Sequence, residues 1–192
     1  MEIRPTVAID GPAGAGKSTV AKEVAKNLNI DYLDTGAMYR AVTYIALRDY
    51  WDLHNEEELN EKIQDLEFKI KTSERGETIT IINGEDVTPF IRSAEINQNV
   101  SFIAKSSAIR KKLVLLQRQL GEMGGIVMDG RDIGTRVLPQ APYKFFLTAS
   151  LGERAKRRYK ELVTKDPNLN IKEVEKDIAK RDNIDKNREI DP

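Results

Sequence analysis

The sequence predicts an α/β fold: a parallel sheet flanked by helices, with a small antiparallel lobe inserted. Three observations carry this. The apolar run Val7-Ala8-Ile9 leads straight into the glycine-rich stretch Gly11–Ser18 and then an amphipathic segment, the strand–loop–helix order of a phosphate-binding loop. Two further apolar runs, 125–129 and 143–147, also alternate with helix-like sequence, which favours parallel pairing. Residues 66–90 break this pattern with strand-like alternation and the hairpin dipeptide Asn83-Gly84. The expected organisation is therefore a core of 1–65 and 91–192 with an antiparallel lobe at 66–90.

Composition bounds the function. A chain of 192 residues buries a substantial core. Lys plus Arg equals Asp plus Glu at 31 each, a balance that argues against a dedicated nucleic-acid binder. There is no cysteine, so disulfides and thiolate metal sites are excluded. No apolar stretch approaches the ~20 residues of a membrane span, and the N-terminus lacks a signal-peptide layout. A monomeric cytoplasmic protein without a membrane or nucleic-acid partner is expected.

In chain order, residues 3–9 read as a buried strand ending at Asp10. The helix after the loop carries Val20, Val24 and Leu28 at i, i+4, i+8, with Ala21 and Ala25 beside them. Asp31-Tyr-Leu is a second strand, and Asp34-Thr35-Gly36 supplies capping chemistry for a helix whose core face is Met38, Val42 and Ile45. Arg40 sits in that helix's first turn, off the apolar stripe. Residues 49–65 are charged and helix-prone; His54, the only histidine, reads as a surface or capping residue. Leu66, Phe68 and Ile70 alternate, a turn follows at Glu74–Glu77, and Ile79, Ile81 and Ile82 resume the strand pattern.

A long helical stretch from about Ser93 to Met123 should break near Ser106-Ser107. Its second half packs through Ile109, Leu113, Leu116 and Leu120, which leaves Arg110, Lys111 and Lys112 off that face and solvated by default. Ser101 likewise reads as a surface position. Residues 125–129 form a buried strand ending in Asp129, and 143–147 a further buried strand. The helix after it carries Arg154, Arg157 and Arg158, with 154 and 158 on one face. The last helix, from about Ile171, starts with Val174 and Ile178 and continues its stripe as Arg181, Asp185 and Arg188. That charged end is either a set of intrahelical pairs or a face overhanging a polar cleft.

The chemistry concentrates in two places. In Gly11-Pro12-Ala13-Gly14-Ala15-Gly16-Lys17-Ser18-Thr19 the glycines let backbone N–H groups turn towards a polyphosphate at a helix N-terminus. Lys17 reaches the outer phosphates and the Ser18 hydroxyl suits Mg²⁺. A carboxylate at the end of a second parallel strand is where phosphate-loop enzymes hold that metal, directly or through water, so Asp129 is the metal-side acid. Gly130 permits the turn that aims Arg131 and Asp132 into the crevice beyond the strand ends.

Four stretches together resemble the bacterial cytidylate (CMP) kinase family of the nucleoside monophosphate kinase group: 10–18 with the phosphate loop, Leu-Asp-Thr-Gly-Ala-Met-Tyr-Arg at 33–40, Asp-Gly-Arg-Asp-Ile-Gly-Thr at 129–135 and Arg-Asp-Asn-Ile-Asp-Lys-Asn-Arg at 181–188. The resemblance implies transfer of the ATP γ-phosphoryl group to CMP or dCMP with Mg²⁺. It assigns the acceptor phosphate to Arg40 and Arg131, the surroundings of cytosine to Thr35, Ser101, Arg110, Asp132 and Arg188, and the sugar to Arg181 and Asp185. It also implies that the helical segment at about 150–166 within the core is a lid, and that Lys17, Arg131, Arg154 and Arg158 neutralise the moving phosphoryl group. Family members usually continue past the position of Pro192 with another strand and helix, so four sheet strands are expected here instead of five. A sibling kinase with another acceptor, or a non-catalytic nucleotide-binding module, is the alternative. A regulatory GTPase is disfavoured because Asn-Lys-x-Asp and Asp-x-x-Gly are absent, and a motor-type ATPase because Gly130 stands where a glutamate would follow Asp129.

Overall fold

The computed structural model describes residues 4–73, 77–164 and 169–187. In chain order the elements are β1 Thr6–Asp10, α1 Lys17–Leu28, β2 Asp31–Asp34, α2 Thr35–Arg48, α3 Glu56–Gln64, β3 Phe68–Thr72, β4 Thr78–Ile82, β5 Glu85–Asp86, α4 Ala94–Ile103, α5 Ser107–Glu122, β6 Ile126–Gly130, β7 Tyr143–Phe146, α6 Leu151–Leu162 and α7 Ile171–Lys186. A π-helical turn, Ile133–Val137, follows β6. Four strands form a parallel sheet in the order β2-β6-β1-β7, and three form an antiparallel sheet in the order β3-β4-β5.

The register of the parallel sheet decides where the chemistry sits. Ile9 pairs with Asp129, Asp10 with Gly130, and Asp34 with Asp129, so three strand-ending carboxylates share one edge. Helix α1 covers one face of this sheet through Ala21 and Ala25, packed with Val7, Ile9, Tyr32 and Val127. This corrects the expected apolar stripe: Val20 and Leu28 are 42% and 48% exposed, and the helix buries its alanines because small side chains let it sit close to the strands. On the other face, α2 buries Met38, Val42 and Ile45 as its periodicity predicts.

The breaks between helices follow their caps. Asp34, Asn55, Ser93 and Ser106 each accept a backbone N–H from the first turn of α2, α3, α4 and α5, and Ser106 marks the break predicted there. Helix α5 buries Ile109 and Leu113, with Leu116 and Leu120 partly covered. It also buries Arg110, and α4 buries Ser101, so neither is the solvated residue that helical spacing alone suggests. His54 is exposed, with its ring edge-on to Phe102.

In the antiparallel sheet, Asn83 and Gly84 take φ of 50° and 84°, the two left-handed residues of a tight hairpin turn between β4 and β5. Most of the predicted turn at 74–77 lies outside the described residues. Strand β4 turns Thr78, Thr80 and Ile82 inward, leaving Ile79 and Ile81 half-buried. The reason is polar: Thr78 Oγ1 accepts Asp34 N at 2.9 Å and donates to Tyr32 O at 3.3 Å, tying this sheet to the end of β2.

Strand β7 departs from expectation. All four residues are exposed, with Tyr143, Phe145 and Phe146 at 52%, 58% and 71%, because β7 is an edge strand paired only to β1 and no described helix covers it. Helices α6 and α7 pack together separately, around Ala155, Val174 and Ile178. Among the described residues no helix is long and apolar enough to cross a membrane.

Asp10 locks the sheet edge. Its carboxylate accepts Ile133 N at 2.7 Å and Gly134 N at 2.8 Å, fixing the turn after β6 against the end of β1. Asp10→Ala orphans both donors and is expected to lower unfolding free energy by about 2–5 kcal/mol, seen as a reduced urea midpoint at unchanged m-value.

Candidate active site

The loop between β1 and α1 is shaped by close approach. Gly11 has φ 147°, and a Cβ there would stand 2.0 Å from the Leu147 carbonyl oxygen of the strand end beside it. Gly16 caps α1 at φ 94° without any side-chain cap, so the first N–H groups of α1 have no side-chain partner at the cap. Three loop carbonyls are held by cations. Lys17 Nζ donates to Pro12 O at 2.9 Å, Arg154 Nη1 to Ala13 O at 3.0 Å, and Arg157 Nη1 to Ala15 O at 3.0 Å.

Next to this loop stands Asp129. Its Oδ2 accepts from Ser18 Oγ at 3.1 Å, its Oδ1 from Tyr32 Oη at 2.7 Å, and its backbone oxygen from Thr35 Oγ1 at 2.7 Å. Burial, reinforced by the charge of Asp34, pushes the Asp129 carboxyl up to about 6. Burial also pushes the Tyr32 phenol far up, so it stays a neutral donor. Burial works against ionisation of Asp34 as well, but there Arg40 and Arg92 outweigh it and hold the carboxyl below its usual value. Asp34 Oδ2 lies 2.7 Å from Arg40 Nη2 and 3.5 Å from Arg92 Nη2.

Beyond these groups lies a set of arginines. Arg131 Nε donates to Asp185 Oδ2 at 3.0 Å, joining the turn after β6 to α7. Arg110 Nη2 pairs with Asp132 Oδ2 at 2.5 Å, and both side chains are almost out of solvent. Burial, with Arg131 next in weight, lowers Arg181 to about 10. Burial followed by the charge of Arg131 lowers Lys17 to about 7, while Asp129 pulls the other way. The Nε atoms of Arg40 and Arg181 are buried with no hydrogen-bond partner among the described residues. A site that crowds cations and leaves donors unused suits a polyanion.

The structure brings most of the sequence-predicted residues to one edge. Lys17, Ser18, Thr35, Arg40, Asp129 and Arg131 stand at or beside the ends of β1, β2 and β6, with Arg181 and Asp185 approaching on α7. Ser101 is buried on α4, and Thr19 is exposed on α1. Arg158 pairs with Glu161 along its own helix at 2.8 Å. Arg188 lies outside the described residues. Sequence reasoning missed Tyr32 as the partner of Asp129, Arg92 as a second cation on Asp34, and Arg157 as a second arginine on the loop beside the predicted Arg154. A tyrosine two residues before a capping aspartate on a strand was the available signal for Tyr32.

These donors fit a hard cation. Among the described residues there is no cluster of three or more His, Cys, Asp or Glu able to hold a metal alone. Ser18 Oγ and Asp129 Oδ2 together offer oxygen ligands of the kind Mg²⁺ uses when it takes its remaining ligands from phosphates and water.

A model of the cytidylate kinase family matches residues 7–192. The chain is 51% identical over 192 residues to the cytidylate kinase of Bacillus subtilis (strain 168), covering 85% of that protein. It is 50% identical, with the same coverage, to the cytidylate kinase of Anoxybacillus flavithermus (strain DSM 21510 / WK1). Among solved structures, the shikimate kinase from Acinetobacter baumannii in complex with shikimate aligns with TM-score 0.44 at 16% identity, over 95% of this chain and 76% of that one. With its family model matched from β1 to the last residue and half its positions identical to these bacterial relatives, the chain belongs to the cytidylate kinase family.

Proposed function

We propose that the protein transfers the γ-phosphoryl group of ATP to CMP or dCMP, giving CDP or dCDP and ADP. One observation supports this most directly: Asp129 accepts from Ser18 Oγ of the loop at 3.1 Å and, through its backbone oxygen, from Thr35 Oγ1 at 2.7 Å, with the buried Lys17 in the field of Arg131 and Asp129. Donor and acceptor machinery therefore share one electrostatic space. In this reading an oxygen of the CMP phosphate attacks Pγ while the bond from Pγ to the bridging oxygen breaks, and ADP leaves with that electron pair. The attacking oxygen is already anionic, so no general base is needed.

The chain's task is alignment and charge. The loop residues Gly11 to Thr19 cradle the ATP phosphates, with Lys17 at the outer ones. Arg40 and Arg131 hold the acceptor phosphate, and Lys17, Arg131, Arg154 and Arg158 neutralise the moving group. Arginine suits this because its planar fork grips phosphate oxygens two at a time. Ser18 and Asp129 would hold Mg²⁺, which when bound neutralises charge on the phosphate oxygens. The lobe at 66–90 and the lid at about 150–166 close over both substrates and exclude water.

Specificity follows from the buried Arg110–Asp132 pair. A carboxylate accepts from the cytosine N4 amino group while arginine donates to its O2 or N3 side. Uracil turns an oxygen towards Asp132 instead, a difference of about 1–3 kcal/mol. Thr35, Ser101 and Arg188 complete the surroundings of the base, and Arg181 with Asp185 contacts the sugar.

An ADP-release assay over a panel of monophosphates is expected to show kcat/KM for CMP and dCMP about 10–100-fold above UMP, with AMP lower still. Equal use of UMP or AMP would replace the acceptor assignment. Asp132→Ala should raise the CMP KM by about tenfold or more and collapse the CMP-over-UMP preference, while ATP half-saturation stays within about twofold. Asp132→Asn, which spares Arg110 an empty neighbour, should show the same loss of preference.

Lys17 gives a pH signature. Its pKa falls from 10.5 to about 7 in the fold, so between those values the folded protein binds fewer protons than the unfolded chain. Nucleotide-free stability contributed by this group therefore rises with pH across that window. A bound polyphosphate reverses the preference and recharges the amine. Calorimetric binding of a non-hydrolysable ATP analogue at pH 8, in buffers of different ionisation enthalpy, is expected to show uptake of about one proton, absent in Lys17→Met.

A further inference from the structure

Helix α7 carries a carboxylate that the reaction described above does not use. Asp182 Oδ2 lies 2.6 Å from Arg154 Nη1, and that same nitrogen donates to Ala13 O of the phosphate loop at 3.0 Å. Arg154 Nε is engaged by Ala149 O at 3.1 Å, just ahead of α6. The two side chains are only 8% and 14% exposed. The other carboxylate oxygen of Asp182 is buried with no hydrogen-bond partner among the described residues. Arg154 is thus a joint between α7, the start of α6 and the donor loop, and Asp182 supplies the charge that holds it there.

The second half of the observation lies three residues on. Asp185, on the same face of α7, accepts from Arg131 Nε at 3.0 Å. One rigid helix therefore grips a cation of the donor side through Asp182 and a cation of the acceptor side through Asp185. Any shift of α7 that follows occupation of the acceptor site is transmitted to the carbonyl of Ala13 through two charge-assisted hydrogen bonds in series. Without Asp182, Arg154 keeps only backbone acceptors among the described residues for a nearly buried charge, and its position on the loop is no longer enforced.

Resting on the kinase reading given above, we infer that Asp182 is a positioning residue: it seats Arg154 against the phosphate loop and couples acceptor binding on α7 to affinity for the donor nucleotide. Such coupling is reciprocal, so each substrate tightens the other by the same factor. A residue that merely clips α6 to α7 would make a different prediction, an equal weakening of both nucleotides in step with lost stability.

The test uses the full chain carrying Asp182→Asn, which preserves shape and removes the charge. Calorimetry measures binding of a non-hydrolysable ATP analogue alone, of CMP alone, and of each in the presence of the other, alongside the melting temperature. The expected result is about a tenfold weaker analogue affinity, the lower range for one charge-assisted hydrogen bond. CMP alone should bind within about twofold of the unsubstituted protein, and the factor by which CMP tightens the analogue should fall towards one. Arg154→Lys is expected to do the same, and the double variant to be no worse than Arg154→Lys alone. Unchanged analogue affinity, or an equal loss for both nucleotides that tracks the melting temperature, would overturn the inference. Absence of CMP binding by the unsubstituted protein would instead overturn the proposed acceptor, and the same titrations show it before any variant is compared.

Discussion

Parallel pairing of β1 and β2 on either side of β6 sets three carboxylates, Asp10, Asp34 and Asp129, at one edge of the sheet. Much of the candidate site is hung from them. Asp10 binds the backbone of the turn that aims Arg131 and Asp132. Asp34 caps α2, anchors the antiparallel sheet through its own N–H, and holds Arg40 and Arg92. Asp129 gathers Ser18, Tyr32 and, by field, Lys17. Three like charges so close are tolerable only because each is given hydrogen bonds or cations of its own.

The same arrangement leaves the nucleotide-free protein electrostatically uneven. Around Lys17, burial and Arg131 favour the neutral amine, while Asp129 is pushed towards its neutral acid by burial and Asp34. Both shifts run against the charge state that a metal–phosphate complex requires. Binding that complex relieves them together, since phosphate favours the ammonium and a cation favours the carboxylate. In the proposed reading, a polyanion and its cation would therefore offset both shifts on binding.

How legible this was in the sequence depended on range. The phosphate loop, the caps at Asp34 and Ser106, and the Asn83-Gly84 hairpin obey rules that span a few residues, and each appears where those rules put it. The periodicity of α1 misled in part, because Ala21, Ala25 and Val24 meet the sheet while Val20 and Leu28 stay exposed. Arg110 and Ser101 look like solvated helix positions by spacing, yet the resemblance to cytidylate kinases singled them out and both are buried. Strand β7 reads as core from its aromatics and is exposed because only β1 pairs with it.

Local sequence therefore settled the donor loop, the alternation of strands and helices, and the identity of the acid at the end of β6, because backbone geometry and short-range hydrogen bonding decide them. Four spaced motifs were enough to indicate the family. Packing alone decided which polar groups meet: Tyr32 with Asp129, Arg110 with Asp132, Arg131 with Asp185, and Arg154 with both Ala13 and Asp182. These partners are separated by between 22 and 141 residues in the chain. No periodicity encodes such pairs. They exist because the sheet order and the seating of α6 and α7 bring charged groups and their hydrogen-bond partners out of water together, where an unpaired charge would be untenable.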